Sequence, residues 1–235
     1  MLSADAKIAE QWGYEMINRL YRSVRRRFAN IYRECSHGEM IERLLDERRE
    51  FLRENPVFVE TGCGVSTVSL SAYAKRLNAL AYSLDSSSDK SDDLKSRVGE
   101  RVANIEFVIG DSLENLPKIV EKHRIDFLFL DSAASAMHTF REFVICEPAL
   151  MPGACVLVDN ASLPGAMVLL SPARKGKVLV PYLLASPYWE VRAHPRAGDS
   201  MISAIRHSEA KFADPDYEDP GHIDNWRPYF DEAIK

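Results

Sequence analysis

The chain has 235 residues, long enough for one sizeable α/β domain with an appendage and short for two such domains. Apolar residues make up 46% of it, and the formal net charge of −5 gives no general electrostatic reason to expect nucleic acid or an anionic membrane as a partner. Its four cysteines form no C-x-x-C pair, and no signal peptide or membrane span is recognisable, so a reduced, cytoplasmic protein is expected.

Residues 1–55 have the periodicity of helices. Apolar side chains recur at helical spacing between Ile8 and Leu20 and again between Met40 and Phe51, with a break predicted at Ser36-His37-Gly38. Because this segment precedes the first sheet strand, we interpret it as an extension outside the core. It is expected to act either as a lid over the strand ends or as the surface of a homodimer.

The first strand runs through a glycine-containing turn into a helix, Pro56-Val57-Phe58-Val59-Glu60-Thr61-Gly62-Cys63-Gly64-Val65-Ser66-Thr67. Its apolar, largely β-branched residues suit a strand that is buried on both faces. Gly62 and Gly64 let the backbone turn tightly and let a ligand approach the main chain. Ser66 and Thr67 can cap the helix, whose free N–H groups point towards the same ligand.

Strands and helices then alternate, which predicts a parallel sheet with helices on both faces. Further strands are predicted at 80–84, 105–109, 126–130 and 154–158, with a helix over 135–150 that ends at Met151-Pro152-Gly153. Segments 189–194 and 199–206 read as two strands joined by a tight turn. The acidic, aromatic tail at 208–235 is expected to pack across the core or against a partner.

All five predicted parallel strands end in an acid: Glu60, Asp85, Asp111, Asp131 and Asp159. Ligands of open α/β sheets bind outside the carboxyl ends of the strands. A single acid at such a position is commonly a helix cap or a turn residue. Five acids in register, however, indicate a binding site along one edge of the sheet.

The glycine turn has two interpretations, which Glu60 and Thr67 separate. A dinucleotide-binding turn follows the pattern G-x-G-x-x-G/A, and Thr67 departs from it at the third small position. Glu60 would also repel a pyrophosphate, whereas a carboxylate suits a ligand that carries an ammonium and a sulfonium. A nicotinamide-dependent oxidoreductase is therefore disfavoured.

The E-x-G-x-G motif, the strand-end acids and the closing hairpin resemble the class I S-adenosylmethionine (SAM)-dependent methyltransferases over residues 56–206. The resemblance implies a Rossmann-like α/β fold with a mainly parallel seven-stranded sheet and a C-terminal antiparallel hairpin, here in a core at 56–207. It also implies the cofactor contacts, among which Asp131 is included. The methionine portion would be held by Glu60, Thr61, Gly62, Gly64, Ser66 and Thr67, the ribose by Asp85 with Ser86 beside it, and the adenine by Gly110, Asp111 and Ser112.

The ends of the fourth and fifth strands, Asp131 and Asp159-Asn160, are similar to the metal-ligating positions of catechol-type and related small-molecule O-methyltransferases. This resemblance implies Mg²⁺ held by Asp131, Asp159 and Asn160, since hard oxygen ligands suit that ion. The ion would lower the pKa of an acceptor hydroxyl and align its oxygen, which gives Asp131 a catalytic role beside the cofactor. The alternative is a pair of strand-end turns in which Asn160 bonds its own backbone.

A catalytic base is not provided by the same resemblance, because Ala134 stands where catechol-type enzymes carry a lysine. His138 is the nearest titratable side chain and is predicted as the general base. A structural, hydrogen-bonding histidine is the alternative. His37, His194 and His207 belong to no recognisable motif.

The predicted function is SAM-dependent O-methylation of a small molecule, without nucleic acid or membrane as a partner. The missing lysine, the helical extension and the aromatic tail motivate one alternative, a methyltransferase-like protein that binds partners without catalysis.

Overall fold

The computed structural model of the protein describes residues 37–163, 175–196 and 199–209. Seven strands form one sheet in the order β3-β2-β1-β4-β5-β7-β6. The first five strands are parallel, and β7 lies antiparallel between β5 and β6. Their bounds are β1 Val57–Thr61, β2 Leu80–Asp85, β3 Glu106–Ile109, β4 Ile125–Leu130, β5 Leu150–Val158, β6 Trp189–Arg196 and β7 Asp199–Arg206. This arrangement confirms the predicted fold class.

Six α-helices are described: α1 His37–Glu47, α2 Val65–Leu77, α3 Ser88–Val98, α4 Ser112–Lys122, α5 Ala136–Cys146 and α6 Gly176–Ala185. Three of them begin at side-chain caps. The hydroxyl of Ser87 accepts from the Asp89 N–H, the Asp111 carboxylate from Leu113 N–H, and the Ser135 hydroxyl from His138 N–H. Within the described part of the chain, no helix is both long and apolar enough to cross a membrane.

The sheet separates two apolar clusters, one on each face. One cluster joins β1, β4 and β5 to helices α4, α5 and α6, with Phe143 and Leu128 fully buried. The other joins the same strands to α1 and α2, with Phe58 and Phe127 packed edge to face at a ring distance of 6.2 Å. Burial on both faces is what the continuous apolar strands require.

Helix α1 corrects the interpretation of residues 37–47, the part of the predicted extension that forms this helix. Its apolar side chains, from Met40 to Leu45, are 0–3% exposed and share the second cluster with the sheet strands. The helix is therefore part of the core and not an extension outside it. It also includes His37 and Gly38, where a break was expected. Residues 1–36 and the tail from 210 to 235 lie outside the described residues.

Strand β5 begins at Leu150 and not at residue 154 as predicted. The predicted stop, Met151-Pro152-Gly153, is the first part of the strand, and the preceding helix ends at Cys146. The register between β4 and β5 shifts between Ile125 and Phe127, and Gly153 has φ +86°. An irregular strand end of this kind tolerates a proline and a glycine that a regular ladder does not.

Candidate active site

A cavity of about 370 Å³ opens at the carboxyl ends of the parallel strands. This size lies in the range of about 300–1,000 Å³ that small-molecule sites occupy. Its walls come from the segments that follow β1 to β4: Gly62, Leu84, Asp85, Ser86, Lys90, Gly110, Asp111, Ser112, Ser132, Ala133 and His138. The structure thus brings together the predicted ribose and adenine segments, which are far apart in the sequence.

The turn after β1 is packed tightly against the turn after β4. Gly62 has φ +94°, and a Cβ built on it would overlap the carbonyl oxygen of Asp131 and lie 2.8 Å from its carbonyl carbon. The strand ends are also tied by backbone hydrogen bonds, from Asp131 N–H to Thr61 O at 2.9 Å and from Asp159 N–H to Leu130 O at 3.1 Å. These contacts set the position of the aspartates relative to the cavity.

Asp85 lies at the end of β2, is 7% exposed and lines the cavity. Its carboxylate accepts from the backbone N–H groups of Cys63 and Ser87, each at 3.1 Å, and Lys90 Nζ lies 3.2 Å away. Lys90 itself is 65% exposed. Because a carboxylate offers about four lone-pair sites and these contacts use three, Asp85 can accept a further hydrogen bond from a ligand.

Asp111 has a structural role in addition to its place in the cavity wall. It is exposed, and its carboxylate caps α4 through the Leu113 N–H at 2.9 Å. One carboxylate oxygen is used in that cap, so the other is the one that can reach a ligand. Ser86 and Gly110 also line the cavity.

Glu60 is the clearest departure from the predicted ligand set. It is fully buried, and its carboxylate accepts from the hydroxyls of Ser66, Thr67 and Ser83. Thr67 Oγ1 in turn accepts from the Gly64 N–H at 2.9 Å. The acid, Ser66 and Thr67 therefore hold the turn together from the interior and do not form the surface that a ligand would touch.

Burial raises the pKa of Glu60 to about 7, although the hydrogen bonds from the three hydroxyls act in the opposite direction. The folded protein thus holds this proton more tightly than the unfolded chain, where the ordinary value is 4.5. The resulting stabilisation is complete below about pH 4.5 and is lost as the pH rises through about 7.

We therefore expect the free energy of unfolding to fall by roughly 3 kcal/mol between pH 4.5 and 7 on account of Glu60. Urea unfolding at several pH values gives the free energy of unfolding as a function of pH, and the slope of this plot should be smaller for Glu60→Gln than for the wild type. Part of the slope remains, because Asp131 titrates in the same range. The exposed Glu121→Gln is the matched control, and an unchanged slope in Glu60→Gln would contradict the assignment.

A second buried acid, Glu142 on α5, was missed by the sequence analysis. It is 0% exposed and accepts from three hydroxyls, those of Thr61 at 3.2 Å, Ser112 at 2.5 Å and Ser132 at 2.7 Å. His138 Nε2 lies 3.2 Å from the same carboxylate and 3.0 Å from the Ser112 hydroxyl. Glu142 thus holds three side chains of the cavity wall, while Thr61 is buried beside it.

Asp131 and Asp159 meet next to the cavity, together with two residues that no motif indicated. His37 Nε2, at the start of α1, lies 2.9 Å from Asp159 Oδ1. The Lys175 ammonium contacts Asp131 Oδ1 and lies 3.5 Å from Asp159 Oδ2. Ligand atoms of His37, Asp131 and Asp159 all lie within 4.8 Å of one another. We call these four residues the acid–lysine cluster.

The two aspartates of the acid–lysine cluster differ in their affinity for a proton. Burial and the neighbouring Asp159 raise the pKa of Asp131 to about 6, with Lys175 acting against the shift. Burial alone would raise the pKa of Asp159 as well. Its hydrogen bond with His37 and the charge of Lys175 outweigh burial and hold the pKa well below its usual range. Asp159 is therefore the carboxylate that stays ionised.

The predicted magnesium site is only partly consistent with this geometry. Asp131 and Asp159 do converge, and their oxygens are ligands that Mg²⁺ prefers. The space between them, however, contains the Lys175 ammonium, whose side chain is 5% exposed. Asn160 has φ 51°, a conformation that suits the strand-end turn. The residues as arranged therefore do not fit a divalent ion.

The fold and the site together define a class of protein. A mainly parallel seven-stranded sheet with an antiparallel closing hairpin and a cavity beside Asp85 and Asp111 is the architecture of a class I SAM-dependent methyltransferase. Residues 59–161 match the family model described as "Methyltransferase domain". Over residues 59–161 the chain is thus similar to methyltransferase domains, and its fold is the one that SAM-dependent O-methyltransferases have.

Solved structures with the same fold are similar over most of the chain. The O-methyltransferase TomG from Streptomyces achromogenes, in complex with SAM, is 19% identical, with coverage of 73% of this chain and 79% of TomG and a TM-score of 0.56. An O-methyltransferase from Bacillus cereus, in complex with S-adenosylhomocysteine, is 17% identical, with coverages of 78% and 97% and a TM-score of 0.51. The methyltransferase MycE, in complex with Mg and S-adenosylhomocysteine, is 18% identical, with coverages of 73% and 51% and a TM-score of 0.50. No curated protein matches the chain in sequence.

Proposed function

We propose that the protein transfers a methyl group from SAM to an oxygen of a small molecule. The observation that carries this proposal is the position of the acid–lysine cluster directly beside the cavity: Asp131 touches Gly62, and Ser132 lines the cavity wall. A nucleoside site and a polar acceptor site are thereby adjacent. The names of TomG and of the Bacillus cereus protein, both O-methyltransferases, support oxygen as the accepting atom.

The cofactor site is proposed along the cavity wall. Asp85 accepts from the ribose hydroxyls with Ser86 beside it, and Gly110, Asp111 and Ser112 contact the adenine. The backbone at Gly62 faces the methionine portion. Glu60, Thr61, Ser66 and Thr67 contribute by fixing the turn and not by contact, since their polar groups are used in the interior.

The acceptor is proposed to lie against the acid–lysine cluster. Bound SAM would supply an electrophilic methyl carbon, to which the acceptor oxygen would bond in line as the carbon–sulfur bond breaks and S-adenosylhomocysteine leaves. The protein's part is to hold that oxygen at the correct distance and direction, which is the main contribution available to a transfer of this kind. His138 as general base stays a prediction; its contacts with Ser112 and Glu142 favour a place in the cofactor wall.

Calorimetric titration with SAM tests the proposal. We expect stoichiometric binding to the wild type and an affinity about 10- to 100-fold weaker for Asp85→Asn, because a hydrogen bond to a charged group contributes about 1.5–3 kcal/mol. Asp93→Asn is the matched control, since Asp93 is an exposed partner of Arg97 on α3.

Two results would count against this proposal. Folded wild-type protein that shows no heat of binding with SAM would remove the cofactor assignment altogether. Equal affinities for Asp85→Asn and Asp93→Asn would show that the protein binds SAM but that the cofactor does not lie against the end of β2.

A further inference from the structure

Lys175 is a buried lysine at the centre of the acid–lysine cluster. The residue is 4% exposed, and its ammonium contacts Asp131 and lies 3.5 Å from Asp159 Oδ2. Lysine is almost never fully buried unless its charge is paired, because removing an ammonium from water is costly. Here the pairing is double, so the ammonium is an integral part of the site.

The backbone at Lys175 is fixed by close packing against the end of β5. Lys175 immediately precedes α6, whose first residue is Gly176. A Cβ on Gly176 would lie 2.5 Å from Ala161 Cβ and 2.8 Å from Val180 Cγ2, so the chain passes this point in direct contact with the segment after Asp159. Such packing places the lysine side chain at the carboxyl edge of the sheet.

The oxygens of the two aspartates are already largely used. Asp131 Oδ1 and Asp159 Oδ2 face the ammonium, and Asp159 Oδ1 is 2.9 Å from His37 Nε2. A divalent ion would have to displace the ammonium, which would leave a buried cation without its partners, or would have to bind beside it against the repulsion of like charges. Both arrangements are unfavourable.

We propose that the Lys175 ammonium is the cation of this active site, at the position where the resemblance to catechol-type O-methyltransferases implied Mg²⁺, and that the site takes up no divalent metal. One of its three N–H donors is hydrogen-bonded to Asp131, and Asp159 is its second ion-pair partner at 3.5 Å. A further N–H donor is assigned to the acceptor oxygen, which Lys175 positions for transfer. This inference rests on the proposed function for the identity of the acceptor, but the exclusion of a metal is independent of it.

The experiment is a titration of the full chain with MnCl₂, followed by the electron paramagnetic resonance signal of free Mn²⁺. Manganese replaces magnesium at oxygen sites and also accepts imidazole ligands, so it tests a site that includes His37. We expect no uptake by the wild type, with or without S-adenosylhomocysteine. Lys175→Ala should take up one Mn²⁺ per chain, and Asp159→Asn in that background should abolish the uptake.

Two further variants separate charge from the loss of a side chain. Lys175→Arg keeps the positive charge and is expected to exclude Mn²⁺ like the wild type. Lys177→Ala removes an exposed lysine from α6, two residues after Lys175, and should also bind no Mn²⁺. Uptake of one Mn²⁺ by the wild type, lost in Asp159→Asn, would overturn the proposal, and this result does not depend on whether Lys175→Ala folds.

SAM binding, measured on the same preparations, keeps the two proposals distinguishable. Wild-type protein that binds both SAM and Mn²⁺ retains the proposed function and refutes the role of Lys175. Wild-type protein that binds neither SAM nor Mn²⁺ refutes the proposed function but agrees with the exclusion of a metal. Transfer activity that is unchanged by a chelator is expected once an acceptor is identified, and its abolition by the chelator would refute the inference.

Discussion

Replacing Gly62 with alanine is expected to lower the free energy of unfolding by about 2–5 kcal/mol, the sum of a strained backbone and an overpacked contact. The φ angle of +94° is one that L side chains rarely adopt. The added Cβ would also overlap the Asp131 carbonyl oxygen and lie 3.1 Å from the Ser132 nitrogen. These groups belong to the backbone and cannot rotate away. Denaturant unfolding monitored by circular dichroism measures the change.

Two other glycines separate the sources of this effect. Gly99 has φ +50°, but a Cβ there would meet nothing within 4 Å, so Gly99→Ala isolates backbone strain at about 1 kcal/mol. Gly64 has φ −174°, an extended conformation open to any residue, and a Cβ there also meets nothing. Gly64→Ala should therefore leave stability unchanged. A Gly62→Ala protein as stable as Gly64→Ala would show that the turns after β1 and β4 are not in contact.

Gly62→Ala and Gly64→Ala are also expected to differ in their effects on SAM binding. Gly62→Ala moves Asp131 and disturbs both the cavity and the acid–lysine cluster, so SAM affinity should fall more than tenfold together with stability. Gly64→Ala keeps the fold, and its methyl group affects SAM only if the ligand comes close to that part of the turn. Titration of both proteins with SAM distinguishes a structural glycine from one that lines the ligand.

The sheet could be predicted from the sequence because each parallel strand is short, mostly apolar and has an acid at or close to its carboxyl end. Those signals are local, and burial on both faces leaves little freedom in how such strands pair. The start of β5 could not be predicted in the same way. Pro152 and Gly153 ordinarily end an element, and only the register shift opposite Ile125 makes them compatible with a strand.

The role of Glu60 could not be read from the motif alone. Its partners Ser66 and Thr67 are close in sequence, but Ser83 comes from the neighbouring strand, where it is paired with Glu60 in register. A serine within an otherwise apolar buried strand was the available signal. Three hydroxyl donors turn an expected ligand contact into an interior anchor for the turn.

The acid–lysine cluster was only half predictable. Asp131 and Asp159 follow strands, and strand ends meet at one edge of the sheet. Lys175 is 44 residues from Asp131, and His37 is 122 residues from Asp159. Neither belongs to a motif, and α1 was interpreted as lying outside the core. Contacts over such separations depend on helix packing, which short-range patterns do not report.

The position of Glu142 on α5 contains a pattern from which its burial could have been predicted. On α5, Thr139, Glu142, Phe143 and Cys146 are the buried residues, which is the spacing of one helix face. A carboxylate on the buried face of a helix needs polar partners from elsewhere, because an unpaired buried charge is too costly. The hydroxyls of Thr61, Ser112 and Ser132, which lie at or just after the ends of three different strands, are those partners.

Replacing Glu142 with alanine should therefore have the second large effect, a loss of about 3–5 kcal/mol in the free energy of unfolding. The change leaves three buried or partly buried hydroxyls and His138 without their common acceptor. Glu142→Gln keeps one acceptor oxygen and the side-chain volume, and should lose about 1–2 kcal/mol. Glu121→Ala, on the exposed face of α4, is the matched control. Thermal and denaturant unfolding provide the measurement.

The effect of Glu142→Ala on the affinity for SAM follows from the same contacts. Ser112, Ser132 and His138 all line the cavity and all meet Glu142, so their positions depend on it. SAM affinity should fall at least tenfold for Glu142→Ala and should be largely restored in Glu142→Gln, because that amide still accepts from the serine hydroxyls. Equal affinities for Glu142→Ala and Glu121→Ala would show that these wall residues are positioned by something other than the buried acid.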